Sequence, residues 1–243
     1  MHFKNEIKEI KEILKSSRHA VFFGGAGVST ASGIPDFRGQ SGLYTTSDEP
    51  CEYFLSRDCL TAEPLRFFKF YREKMLYPDA TPNDAHRALA ALEEKGIIKA
   101  VITQNIDGLH QKAGSRNVFE LHGTMSRAFC DRCGRTYEPQ MMESSDSLPL
   151  CPACQGIIRP DVTLYGEALP ADAFAMAAEH IEKADVLIVG GSSLTVYPAA
   201  GLVADFSGKH LIIINLSPTP YDQRASYVIR ESLPQVLTLL SDI

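Results

Sequence analysis

His19-Ala-Val-Phe-Phe23, running into Gly24-Gly-Ala-Gly27 and then Val28-Ser-Thr-Ala-Ser-Gly33, is the stretch from which the fold is read. An apolar run without polar alternation marks a strand covered on both faces. Glycines at its carboxyl end let the backbone approach a phosphate with amide groups pointing at it. The small polar residues that follow suit a helix amino terminus or an ordered loop. Upstream, Met1–Lys15 spaces four Lys and three Glu among Phe3, Ile7, Ile10 and Leu14, which is an amphipathic helix and not a secretory leader. Downstream, Pro35, Gly39 and Gly42 make Ile34–Tyr44 too broken for regular structure. Helical spacing returns over Cys59–Tyr77 and Asp84–Lys95, then at Leu109–Ala113, Pro170–Lys183, Pro198–Phe206 and Leu233–Leu240. Strands are expected at Ala100–Thr103, Val118–Leu121, Asp185–Val189 and His210–Leu216. Aliphatic strands alternating with helices predict an α/β fold, a parallel sheet with helices on both faces.

The 243 residues suffice for one large domain, or a domain with a small module. A net charge of −6 excludes polyphosphate binding by bulk charge and a cationic membrane patch. No apolar run approaches the length of a membrane span. The chain therefore reads as cytoplasmic, with reduced thiols, so its six cysteines need an explanation other than disulfides. Four have one. Cys130-x-x-Cys133 and Cys151-x-x-Cys154 have the spacing of a four-thiolate zinc site. With all four positions filled by sulfur, that zinc is structural. Arg127, Arg132, Arg135 and Arg159 in this region balance Asp131, Glu138, Glu143 and Asp146, so it lacks the basic stripe of a nucleic-acid binder. Cys51 and Cys59 read as packed or partly exposed thiols.

The glycine loop departs from the usual dinucleotide fingerprint. Thr30 stands in place of the third glycine, and no strand ending in an acid follows about 20 residues later. Hydride transfer is thereby disfavoured. Asp36-Phe-Arg-Gly39 instead suits a loop closing over a phosphate-bearing ligand, with Arg38 as the fork. Thr103-Gln-Asn-Ile-Asp107 lies beyond a strand's carboxyl end, where ligands bind in open α/β sheets; a capping turn is the other reading. His122 ends another strand and has the residue type for general base work, although a lone histidine out of seven is more often structural.

Gly25–Gly39, Thr103–Asp107, Leu121-His-Gly123, the cysteine pairs, Gly191-Ser-Ser193 and Ile214-Asn-Leu216 together resemble the sirtuins, NAD-dependent protein deacylases. The resemblance spans nearly the whole chain. It implies a Rossmann-like NAD-binding domain over 1–125 and 161–243, with a helical insertion at about 40–80, and a zinc-ribbon module over 126–160. It implies that Ala26, Thr30, Phe37 and Arg38 line the NAD site and that Gln104 and Asn105 hold the nicotinamide-side ribose. Ile106 and Asp107 would hold the nicotinamide amide, while Ser192, Ser193, Asn215 and Leu216 would face phosphates and adenosine. His122 would be the base, with Asn105 and Asp107 assisting catalysis. Asp161–Glu167, including Val162, Leu164 and Tyr165, would pair with an acetylated lysine peptide as an added strand. Gly24 stands where Thr is common in the family, and Thr163-Leu164 are less bulky than usual. Phe68 and Tyr71 fall where sirtuins that remove succinyl or malonyl groups resemble one another in a Tyr and an Arg, so acetyl or another uncharged acyl group is expected. The implied reaction cleaves nicotinamide from NAD and passes the acetyl group to ADP-ribose. The alternatives are mono-ADP-ribosyl transfer to protein and a non-catalytic scaffold binding acetyl-lysine through a zinc ribbon.

Overall fold

The computed structural model describes residues 2–39, 42–46, 50–142 and 147–243. Gln40 and Ser41 of the expected insertion, and Glu143 and Asp146 of the charge balance, lie outside them. The strands are β1 Ala20–Gly24, β2 Ile98–Thr103, β3 Val118–Glu120, β4 Gly123–Cys130, β5 Thr136–Tyr137, β6 Ile158–Val162, β7 Val186–Gly190, β8 His210–Ile214 and β9 Tyr227–Ile229. The helices are α1 His2–Ser16, α2 Leu43–Thr46, α3 Cys51–Phe54, α4 Arg57–Ala62, α5 Pro64–Lys74, α6 Asp84–Glu94, α7 Leu109–Lys112, α8 Ala171–Lys183, α9 Gly201–Asp205 and α10 Leu233–Ser241.

Six strands form a sheet in the order β3-β2-β1-β7-β8-β9, and every pairing in it is parallel. The period-two alternation of a strand splits the core in two. Ala20, Phe22, Val101, Ile188 and Ile212 face α1, α6 and α10, whereas Val21, Phe23, Ile102, Val189 and Ile213 face α8 and α9. The α/β layering is thus as expected, with helices on both faces. The sixth strand, β9, escaped the sequence reading because three residues between turns carry no periodicity.

A second sheet, β5-β4-β6, is antiparallel and carries the cysteines. It shares a third core with the helices α3 to α5, built from Phe54, Phe67, Phe68, Tyr71, Ala128 and Ile158. The single helix expected over Cys59–Tyr77 is two. Ser56 caps α4 by accepting the Cys59 N–H, and Glu63-Pro64 ends it, since proline cannot continue a helix but can start the next. Leu43 and Tyr44, at the end of the segment expected to be irregular, begin one helical turn that runs to Thr46. Cys51 and Cys59 are both buried. Among the described residues no helix is long and apolar enough to cross a membrane.

Candidate active site

Strand order decides where a ligand can sit. From β1 the chain first adds strands outward to β3, then crosses back to add β7, β8 and β9 on the other side. The connections that follow β1 and β7 run to helices on opposite faces of the sheet, α6 and α9, and the carboxyl ends of the strands at such a switch point are the binding position of a doubly wound sheet. One cleft opens there. Its walls include Ala26, Thr30, Phe37, Arg38, Gln104, Asn105, Ile106, Asp107 and His122. They continue through Val162, Leu164, Tyr165, Ser192, Ser193, Asn215 and Leu216. The strand ends bring together residues almost two hundred positions apart.

The glycine loop does something the sequence reading did not foresee. Gly27 N–H donates to Gly191 O at 2.9 Å, and a Cβ on Gly27 would lie 2.7 Å from Gly191 Cα. A Cβ on Gly25 would meet Gly191 O at 2.8 Å. The side-chain-free surface read as clearance for a pyrophosphate is spent on contact between the β1 and β7 loops. Ala26, between them, faces the cleft. Beyond, Phe37 meets Tyr44 edge-on with centroids 5.4 Å apart, and the Arg38 guanidinium lies 5.1 Å over the Tyr44 ring.

At the end of β2, Gln104 donates to Ser192 Oγ at 2.9 Å, joining the β2 and β7 loops. Asn105 Nδ2 donates to Ser29 Oγ at 3.0 Å, and Ser29 Oγ donates to Asp107 Oδ2 at 2.6 Å. Asp107 Oδ1 accepts the Leu109 N–H at 2.9 Å. Ser29, 1% exposed, is the hub the sequence reading missed. Its only signal was a hydroxyl within an otherwise small-residue loop. Behind it stands His86, whose Nδ1 accepts the Asn83 N–H in the cap of α6. Its Nε2 therefore carries the hydrogen and faces Ser29 Oγ at 3.5 Å. Burial pushes His86 down to about 4 against the pull of Asp107, and pushes the neighbouring His110 to about 3.

His122 follows β3. Its Nδ1 lies 2.9 Å from Gln104 O, and because a carbonyl only accepts, Nδ1 carries the hydrogen. The lone pair is left on Nε2. Burial lowers the imidazole below its ordinary 6.5, partly offset by the Gln104 carbonyl, so the ring is neutral and able to take a proton near pH 7. Opposite, Thr163 N–H donates to His122 O at 2.9 Å, which fixes the Val162–Glu167 segment beside the imidazole.

Two expected residues are not in the cleft wall. Phe68 and Tyr71, 0% and 3% exposed, pack in the third core, where Tyr71 stacks on Phe67. They lie on the buried face of α5, and Leu55, Arg72, Lys74, Met75 and Leu76 form the cleft wall on that side, with Arg72 Nε donating to Met142 O at 2.9 Å. Glu231 and Ser232 also line the cleft. They sit in a connection between β9 and α10 that has no motif of its own.

The four cysteine sulfurs lie within 4.8 Å of one another, with Cys130–Cys154 at 3.5 Å and Cys133–Cys151 at 3.8 Å. A tetrahedron with zinc–sulfur bonds of about 2.3 Å has edges of about 3.8 Å, so the donor set fits one zinc ion. Tyr137 Oη lies 2.9 Å from Cys151 Sγ and steadies that ligand from outside.

Comparison with known proteins agrees with this geometry. Residues 25–198 match the model of the Sir2 family. An NAD-dependent protein deacetylase of Clostridium acetobutylicum is 50% identical over 237 residues, 96% of this chain and 97% of that protein. A Sir2–p53 peptide–NAD+ complex superposes with a TM-score of 0.86 at 43% identity, covering 95% of each chain. A Sir2 variant with deacetylated p53 peptide and 3'-O-acetyl ADP ribose superposes at 0.89 with 42% identity, covering 96% of each.

Proposed function

Because the chain belongs to the Sir2 family, we propose that its cleft removes acetyl groups from protein lysines, releasing nicotinamide from NAD and passing the acetyl group to ADP-ribose. The observation that carries this reading is a juxtaposition. The Asn105–Ser29–Asp107 network and His122, whose Nε2 is left with the lone pair, line one cleft, between the Gly25–Gly27 loop and the Val162–Glu167 segment.

NAD is consumed as co-substrate and supplies an electrophilic ribose carbon when nicotinamide leaves. Arg38 clamps a phosphate with its fork, and Phe37 covers the ligand. Ile106 and Asp107 hold the nicotinamide amide, and Asn105 with Gln104 orients the ribose, so the leaving group is held in one geometry. Thr30, Ala26, Ser192, Ser193, Asn215 and Leu216 line the remainder of the cofactor path. Val162, Leu164 and Tyr165 present the peptide backbone. The acetyl-lysine amide oxygen would bond to the ribose carbon as the bond to nicotinamide breaks. His122 Nε2 would then take the proton of a ribose hydroxyl, which attacks the acyl carbon; water enters as the lysine amine departs, leaving the acetyl group on ADP-ribose, and a positioned base accelerates such a step about 10²–10⁴-fold. Cys130, Cys133, Cys151 and Cys154 would hold zinc with no position open to water or substrate, so the metal organises the small sheet and takes no part in the reaction. The division into an NAD-binding unit over 1–125 and 161–243 and a zinc module over 126–160 belongs to this proposal, as does a cytoplasmic location, where the four thiols stay reduced.

The test is turnover of an acetylated peptide with and without NAD. Nicotinamide and free lysine should appear together, in equal amounts. Lysine release that continues unchanged without NAD would refute the reading.

A further inference from the structure

Four charged side chains beside the cleft have no part in the chemistry above. They are Arg57 at the start of α4, Asp131 in the turn after Cys130, Arg159 on β6 and Glu167 at the end of the peptide-docking segment. Arg159 is 3% exposed. Its Nη1 bonds Glu167 Oε1 and its Nη2 bonds Oε2 at 2.8 Å. The same Nη2 donates to Val162 O at 2.6 Å, and Glu167 Oε2 also accepts the Leu164 N–H at 2.9 Å. One buried cation thus grips both ends of Val162–Glu167. On the other side Arg57 forks onto Asp131 at 2.5 and 2.8 Å. Contacts of 3.7 Å between Arg57 and Glu167 and 3.8 Å between Arg159 and Asp131 close a ring of alternating charge. The Arg57 N–H donates to Tyr165 O, and Tyr165 N–H donates to Leu55 O, both at 2.9 Å.

A fork this deeply buried adds little net stability, because desolvation offsets most of the attraction. It supplies geometry: two parallel bonds hold a carboxylate, and the chain bearing it, in one orientation. A segment that receives a peptide chiefly through its backbone gains affinity when it is ordered beforehand. Resting on the function proposed above, we propose that the Arg159–Glu167 pair presets the peptide-docking segment and, through Arg57 and Asp131, ties its shape to the cysteine-bearing turn. Glu167 is then a positioning residue for the peptide substrate.

The experiment is steady-state kinetics of the zinc-loaded Glu167→Gln variant, with acetylated peptide and NAD varied separately and zinc content measured. Losing the charged fork should raise the peptide KM about tenfold, the scale of one charge-assisted hydrogen bond. The KM for NAD, kcat at saturation and zinc content should stay within about twofold of the parent. Arg159→Lys, which cannot fork, should show the same split, and the double variant should be no worse than the poorer single one. An unchanged peptide KM, or an equal rise for both substrates, would overturn the proposal. So would loss of fold or zinc in both variants, which would make the pair a structural support only. Calorimetric affinity for the acetylated peptide needs no turnover, so a parent enzyme that binds peptide without deacetylating it would count against the function and not against the positioning.

Discussion

At His122, the base in the proposed reaction, a single hydrogen bond sets the tautomer. The Gln104 carbonyl fixes the tautomer, and burial keeps the ring neutral by lowering its pKa below 6.5. The acid limb of kcat/KM should therefore lie below pH 6.5, with activity falling as pH drops and Nε2 gains its proton. His122→Ala should lose at least about a hundredfold in deacetylation while keeping its thermal transition, and near-normal turnover would remove the base from the mechanism. His86 and His110 titrate in the other direction of consequence, through stability. Neither His110 ring nitrogen has a hydrogen-bonding partner among the described residues, and its ring meets His86 edge-on with centroids 4.8 Å apart. Both rings have folded values, about 4 and about 3, below the ordinary 6.5. The unfolded chain then binds protons first as pH falls, so stability is complete above about pH 6.5 and is lost progressively toward pH 3–4. The pair should cost on the order of a few kcal/mol across that window, read as a falling urea midpoint, and His110→Phe should make the fall shallower. An equally steep fall in that variant would exclude the ring.

At the scale of elements, the β1 and β7 loops explain what could be read in advance and what could not. The strand before Gly24 was legible because an aliphatic run has one low-energy use in a sheet covered on both faces. The role of Gly25 and Gly27 was not, because glycine records only that something comes close, and the partner here is backbone contributed from Gly191. Gly27→Ala should destabilise the protein by about 1–3 kcal/mol, an overpacking cost, even without NAD. Thermal melts of the free protein check this: an unchanged midpoint with weakened NAD affinity would restore the original reading of the loop as phosphate clearance. Ser29 was hidden for a related reason, since a serine among small residues gives no sign of the Asn105 and Asp107 side chains that converge on it. Phe68 and Tyr71 show the opposite failure. Helical spacing rightly put them on a helix, whereas the resemblance put them against the acyl group; on α5 they turn instead to Phe67 and the third core. The break at Pro64 was visible in the sequence and outweighs the apolar periodicity that runs across it.

Across the whole molecule, two sheets of different character divide the work. The strand order of the parallel sheet places six strand ends on one crevice, the side to which the proposal assigns the cofactor. In the small antiparallel sheet, β6 leads directly from the cysteine-bearing turns into Val162–Glu167, the segment to which the proposal assigns the peptide. The cysteine pairs were legible from spacing alone, whereas the convergence of Arg57, Asp131, Arg159 and Glu167 needed the fold, since charged residues spread over more than a hundred positions carry no common pattern. In the proposed reaction NAD is cut at its glycosidic bond in the crevice between Asp107 and His122. The most direct measurement is a crystal structure of the protein with NAD and an acetylated lysine peptide. The account predicts the nicotinamide amide within hydrogen-bonding distance of Asp107 and a ribose hydroxyl within reach of His122 Nε2. A nicotinamide ring lying away from Asp107, with no ribose hydroxyl near His122, would contradict it.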